Sequence, residues 1–305
     1  MRGTNGPIVP LNTRRRRARA RNAFVFAVVG ERHVANLATA LQFLKRFTHA
    51  DIFVVQSRSE RLAPHDQVIT IDLPDSLDDR QASIFLKTSL GSHVKGLAKC
   101  FCYLDSDVIA VQKDVDSIFE KRAGAINFAL DHVDVDRFSR WAVNCGCTGG
   151  SCQHLREAIS RTFNVEMRNG GWQMWNGGVF LFDESSEEFL HTWHQLTSAI
   201  LRDPYWKTRD QGTLAATVWK LGLQEQRPLG SEFNLVVDRM WGIPEKLRPH
   251  AKSADFHRRS DYSLTGEPNL LAPRLIHFIN GGVDQIGWKN WDEVEALLAQ
   301  PGRDE

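Results

Sequence analysis

The sequence lacks a surplus of either charge. Lys and Arg number 38 and Asp and Glu 37, for a formal net charge of +1. Nucleic-acid binders as a rule carry a basic excess, so that class has no global support and no nucleic-acid partner is expected. No apolar run approaches the roughly 18 residues of a transmembrane helix, so no membrane span is expected. Cysteine is scarce: only Cys100, Cys102, Cys145, Cys147 and Cys152 occur. An odd number in so long a chain argues against a secreted disulfide framework, and a reducing, cytoplasmic setting is the expectation. There is no internal repeat and no linker that would split the chain.

What is present is ordinary for a folded protein. Of 305 residues, 42% are hydrophobic and 25% charged. These values exclude a disordered or fibrous chain. The length suffices to bury a full core without staples. One local asymmetry stands out. Residues 14–21 read RRRRARAR, and no acidic residue precedes Glu31. We read residues 1–22 as a disordered, solvated basic arm, the alternatives being a peripheral contact for anionic membrane or nucleic acid, or part of a targeting peptide. No long apolar stretch follows the arginines, so a signal peptide is not expected. Residues 23–300 read as one domain.

Apolar runs at 24–29, 52–55, 68–71 and 100–104 read as strands, with helices at 33–47 and 83–90 between them. This alternation predicts an α/β fold with a mixed, mostly parallel central sheet flanked by helices. Ligands in such sheets bind at the carboxyl ends of the strands. The second half is less regular. Strands are expected at 126–130, 179–182 and 275–279, and helices at 153–162, 189–201, 211–221 and 291–298.

The segment YLDSDVIAV carries the candidate chemistry. An apolar run leads into Asp105, Ser106 and Asp107. In extended chain, residues two apart face the same side, so two carboxylates could meet at the mouth of the sheet. Like charges so placed call for a cation, and Mg²⁺ or Mn²⁺ shares oxygen ligands with phosphates. The alternative is a plain strand-end turn, since a chain this long carries about one or two such patterns by chance. Asp114/Asp116 and Asp134/Asp136 repeat the spacing without a buried strand before them and read as solvated turns or helix starts.

Read in order, YLDSDVIAV, NFALD, WNGGVFLFD, RDQGTLAA, SEFN and RLIHFING are specific as a set. Together they resemble the GT-A glycosyltransferases, most closely the retaining glycosyltransferase family eight. That group includes glycogenin and the bacterial galactosyl- and glucosyltransferases of lipopolysaccharide. The resemblance covers roughly residues 24–290. It implies a single GT-A, Rossmann-like domain that transfers a sugar from a nucleotide donor, UDP by the family's habit. The acceptor would be a carbohydrate, glycolipid or protein hydroxyl. It implies Mn²⁺ or Mg²⁺ held by Asp105, Asp107 and His277. It implies donor contacts at Asn176, Gly177, Gly178, Asp131, Lys87 and Gly281, with Asp210 and Gln211 beside the anomeric carbon. The glycines would let backbone approach the sugar, or else mark a strand-entry bulge. Asp210 is also expected as a helix N-cap. The family's Lys-Pro-Trp is absent after His277, leaving Lys289 as the candidate phosphate-binding lysine.

Two other readings of the Asp pair remain. One is a phosphatase of the haloacid-dehalogenase type. The other is a non-catalytic sugar- or nucleotide-binding protein. Trp172 and Trp175, next to a motif, are candidates for stacking on an acceptor sugar or for the core. The cluster NCGCTGGSCQH offers Cys145, Cys147, Cys152 and His154 as soft metal ligands or as a redox-sensitive loop.

Overall fold

The structure is a computed structural model, and it describes residues 21–58, 65, 67–238, 247–249, 256–260, 269–271 and 273–279. The arm up to residue 20, Gly281, Gly282, Trp288, Lys289 and the expected helix at 291–298 lie outside the described residues.

The chain opens with β1 (Asn22–Val28), α1 (Glu31–Phe47), β2 (Asp51–Ser57), β3 (Val68–Ile71), α2 (Asp79–Val94), β4 (Cys100–Leu104) and β5 (Val108–Ala110). It continues with β6 (Asn127–Asp134), α3 (Val135–Ala142), α4 (His154–Phe163), β7 (Gln173–Phe182), α5 (Glu187–Ile200) and α6 (Arg209–Lys220). Then come β8 (Leu235–Asp238), β9 (Leu247–Pro249), β10 (Phe256–Ser260), β11 (Asn269–Leu271) and β12 (Leu275–Ile279).

The central six-stranded sheet has the order β3-β2-β1-β4-β7-β6. β1 runs parallel to β2 and β4, and β2 to β3, while β7 is antiparallel to β4 and β6. The mixed, mostly parallel expectation holds. β1 is apolar throughout because both of its faces are covered. Ala23, Val25 and Ala27 join one core with residues of α2 and α6, while Phe24, Phe26 and Val28 join the other with residues of α1. Alternate residues of a strand face opposite ways, so one short sequence feeds two layers. α1 presents Leu37, Ala40, Phe43, Leu44 and Phe47 at helical spacing. α2 starts at a capping box, in which Asp78 accepts from Gln81 N and Gln81 Oε1 accepts from Asp78 N.

The chain runs outward from β1 to β3 and then crosses back to β4 on the other side of β1. The crevice at the carboxyl ends of β1 and β4 is therefore a topological switch point. One feature departs from the sequence reading. β7 begins six residues before the expected strand, so Asn176, Gly177 and Gly178 are interior to it and not at its entry. For Asp134/Asp136 the helix-start alternative holds, and helix α3 follows, though its eight residues are too few for a periodicity to mark its extent. Its start is set by Asp134, whose side chain accepts from Arg137 N at 2.8 Å.

Candidate functional site

β4 delivers Asp105 directly past its last residue. The next residues do not stay extended, since Val108 N donates to Asp105 O at 3.0 Å and closes a turn. The two aspartates are thus not aligned by strand alternation, as the sequence reading supposed. A third element makes them converge. β12 pairs antiparallel with β5, His277 sits opposite Val108, and Phe278 N donates to Asp107 O at 3.0 Å. This places His277 Nε2 3.3 Å from Asp107 Oδ1 and 3.9 Å from Asp105 Oδ2. One ligand atom from each of the three lies within 4.8 Å of the others.

The other imidazole nitrogen is engaged. Nδ1 lies 3.1 Å from Asn234 Oδ1. An amide oxygen can only accept, so Nδ1 carries a proton, and Nε2 is the nitrogen that faces the carboxylates. Burial opposes charge on both His277 and Asp107. Their mutual attraction outweighs it, raising the His277 pKa and lowering that of Asp107.

Asp105 is further restrained. Tyr103 Oη donates to Oδ1 at 2.6 Å, and Lys87 Nζ lies 3.1 Å from the carboxylate. Burial holds Tyr103 protonated, and the charge of Asp105 adds to that. Lys87, buried on α2, also reaches Asp210 Oδ2 at 3.1 Å. Burial disfavours its charge, but the two carboxylates more than offset this and raise its pKa. A cavity of about 230 Å³ opens here, lined by His33, Arg80, Lys87, Tyr103, Asp105 through Asp107 and Asp210.

The remaining expected residues form a layer behind this cavity. Gln211 is buried, accepts from Gly177 N at 3.0 Å and donates to Trp175 O. Asn176 donates to Asp131 Oδ2 at 2.9 Å and accepts from Gly178 N at 2.9 Å. Between Phe128 and Ala129 the register of β6 on β7 jumps from Phe180 to Asn176, so residues 177–179 form a bulge. Its glycines make room for protein side chains. A Cβ at Gly177 would lie 3.3 Å from Lys87 Nζ, and one at Gly178 would collide with the His277 ring. Asp210 is not the helix cap, which is Thr208. Asp210 stands in the first turn of α6, where its charge suits the helix dipole.

No protein-family model matches the chain, and neither does any curated protein sequence. Solved structures do. The bifunctional glycosyltransferase WbbM in its apo form is similar over 97% of this chain and 51% of its own, with TM-score 0.56 and 12% identity. The galactosyltransferase LgtC, solved with donor and acceptor sugar analogs, is similar over 92% of this chain and 98% of its own, with TM-score 0.52 and 14% identity. Glycosyltransferase GlyE of Streptococcus pneumoniae TIGR4 in its apo form shows TM-score 0.50 and 16% identity over 93% of this chain and 61% of its own. The fold is the GT-A glycosyltransferase fold. The chain spans about half the length of WbbM, 51%.

Within the GT-A frame, sequence reasoning missed three side chains. Tyr103 precedes Asp105 by two residues on a strand, a signal that could have found it. Asn234 lies in the SEFN segment, already singled out, but without a role. His33, whose Nδ1 is 3.3 Å from Ser106 Oγ, left no local signal. For two tryptophans the core alternative holds and the acceptor-stacking one does not. Trp172 and Trp175 are 7% and 2% exposed and belong to the core. Trp175 packs against Phe128 with ring centroids 5.6 Å apart, and Trp172 Nε1 donates to Gln224 O at 3.2 Å. Neither ring has a face to offer a sugar.

Among the described residues, no helix is long and apolar enough to cross a membrane.

Proposed function

We propose that this protein is a metal-dependent glycosyltransferase. It moves a sugar from a nucleoside-diphosphate donor, UDP by resemblance, to an acceptor hydroxyl with retention of configuration. The observation that carries this reading is the convergence of Asp105, Asp107 and His277 Nε2 beside a polar cavity at the switch point of the sheet. The GT-A fold supports it, and so does the LgtC structure with donor and acceptor analogs.

The residues fit a divalent ion. Two carboxylates and one imidazole with its Nε2 directed inward are a donor set suited to Mn²⁺ or Mg²⁺. Asp105, Asp107 and His277 would hold it, and when bound it supplies Lewis-acid neutralisation of the diphosphate leaving group. The protein's own groups do the rest. Tyr103 and Lys87 fix Asp105. Asn234 fixes the tautomer and plane of His277. Lys87 holds the Asp210 carboxylate at the cavity wall, where its charge would stabilise positive charge developing at the anomeric carbon. Asn176, Asp131 and Gln211 hold the glycine bulge of β7 as positioning residues.

Retaining glycosidases use a carboxylate nucleophile. Here Asp210 is paired with Lys87, and the amide of Gln211 is engaged at both ends. An amide is also a poor nucleophile. Attack therefore comes from the face the diphosphate leaves. The bond from the anomeric carbon to the phosphate oxygen breaks, the bond to the acceptor oxygen forms, and the acceptor proton passes to the departing phosphate.

A thermal-shift screen of nucleotide-sugars with and without Mn²⁺ tests the donor class, since a ligand of the folded state raises its melting point. Asp107→Ala should abolish both the Mn²⁺-dependent shift and turnover. A wild-type shift without turnover on any acceptor would favour the non-catalytic reading. NMR of the product reads the anomeric configuration, and inversion would overturn the retaining route. No observation favours the phosphatase reading.

A further inference from the structure

Far from Asp105 in sequence, the loop between α3 and α4 gathers a second set of ligands. Cys145, Cys147, Cys152 and His154 are half-buried, and one ligand atom from each lies within 4.8 Å of all the others. Cys145 Sγ is 3.8 Å from Cys152 Sγ, and Cys147 Sγ is 3.6 Å from His154 Nδ1. These separations have a simple meaning. Around a tetrahedral zinc with Zn–S about 2.3 Å and Zn–N about 2.0–2.1 Å, two sulfurs stand about 3.8 Å apart, and a sulfur and a nitrogen about 3.6 Å.

We propose that Cys145, Cys147, Cys152 and His154 bind one zinc ion in a closed, structural site distinct from the Asp105/Asp107/His277 centre. The chemistry separates the two. Three thiolates and an imidazole are soft and suit zinc, whereas two carboxylates and an imidazole suit a harder ion.

The loop is built for the arrangement. Gly146 has φ 65°, a left-handed conformation that turns the chain between Cys145 and Cys147. Cys152 N donates to Asp136 O at 2.9 Å, and the Asp136 carboxylate is held by Arg156 Nε at 2.7 Å. Ser139 Oγ accepts from Leu155 N at 2.9 Å and lies 3.2 Å from Cys152 Sγ. With that thiol ionised, the Ser139 hydroxyl proton is free to support the thiolate. His154 opens α4, which has no side-chain cap, so its N-terminal dipole also favours thiolates nearby.

A disulfide accounts for less. The Cys145–Cys152 separation exceeds the roughly 2.03–2.05 Å of a disulfide. Joining those two would also leave Cys147 and His154 converging for no reason. A single central ion explains all four positions.

The site has a mechanical consequence. The chain beside it is tied to residues 205–208: Asn144 N donates to Tyr205 O at 2.8 Å, Lys207 N to Ala142 O at 2.7 Å, and Thr208 Oγ1 to Trp141 O at 3.1 Å. Residues 205–208 lead straight into α6, which carries Asp210 and Gln211. Zinc would thus brace the start of α6 from outside the cavity.

The test is elemental analysis of full-length protein purified without chelator, beside Cys147→Ser, Cys152→Ser and Asp107→Ala. The expected result is about one zinc per chain in wild type and Asp107→Ala, and little in either cysteine variant. Because those variants could fail to fold, wild type stripped under reducing conditions is also titrated with Co²⁺. A tetrahedral thiolate site gives intense d–d bands and a sulfur-to-cobalt charge-transfer band, unchanged by Asp107→Ala. Wild type that holds no zinc and shows no charge-transfer band overturns the proposal. So does zinc content unaffected by the cysteine substitutions, or a Cys145–Cys152 disulfide found by mass spectrometry in zinc-free protein.

Discussion

The ring of His277 occupies the space that a side chain at Gly178 would need. A Cβ there would lie 2.7 Å from His277 Nδ1 and closer still to Cε1. The glycine in the middle of β7 is thus a condition for the histidine on β12, about a hundred residues away along the chain. This ties the WNGG segment to the Asp-x-Asp turn through packing, whatever the glycines do for a ligand.

Gly178→Ala should displace His277. Overpacking of this kind costs roughly 1–3 kcal/mol, read as a lower melting temperature, and Mn²⁺ binding should weaken with it. Gly177→Ala should do less, because its Cβ would stand 3.3 Å from Lys87 Nζ and Gln211 Oε1, which asks for a far smaller shift than the clash with His277 Cε1 at Gly178. Equal Mn²⁺ affinity in wild type and Gly178→Ala would contradict the assignment of His277.

Asn234→Ala removes the acceptor that orients His277. Loss of such a partner typically lowers metal affinity about 10–100-fold, measurable by electron paramagnetic resonance of free Mn²⁺. Asn234→Asp keeps an acceptor for Nδ1 and should retain most of the affinity. An unaltered titration in the alanine variant would show that the histidine needs no such support.

Lys87→Met leaves Asp105 and Asp210 facing each other without their cation. Breaking a buried ion pair costs about 3–5 kcal/mol, and the lower end applies because both carboxylates keep some solvent. Adding Asp210→Asn removes one of the stranded charges and should recover part of the loss in denaturant melts. If the double variant is no more stable than the single, the two residues are not coupled.

Trp175→Ala should cost roughly 3–5 kcal/mol, as large aromatic truncations in a core do. Trp172→Phe, which loses one hydrogen bond to Gln224 O, should cost about 1 kcal/mol and leave the acceptor KM unchanged. A selective rise in that KM would return Trp172 to the acceptor surface.

Much of the fold is legible in the chain because its signals are local. The run at 24–29 is apolar throughout, as a strand covered on both faces must be. The spacing of Leu37, Leu41 and Leu44 marks α1, and the apolar run into Asp105 marks the end of β4. Each depends on neighbours a few residues apart. The extent of helix α3 and the true start of β7 escaped because one is short and the other is a bulged strand containing two glycines, a composition that reads as a loop.

The sequence by itself determined the alternation of strands and helices, the place of the acidic pair at a strand end, and the gathering of Cys145, Cys147, Cys152 and His154 within ten residues. The family resemblance already named His277 and Lys87 for that site, and only the tertiary structure showed the contacts that bring them to the acidic pair. Lys87 and Asp210 are separated by 123 positions, and His277 and Asn234 by 43. The tertiary structure also sent Trp172 and Trp175 inward. The reason is physical. A periodic pattern records which face of an element is apolar, but not which other element covers it, so contacts between distant segments are settled only when the layers pack.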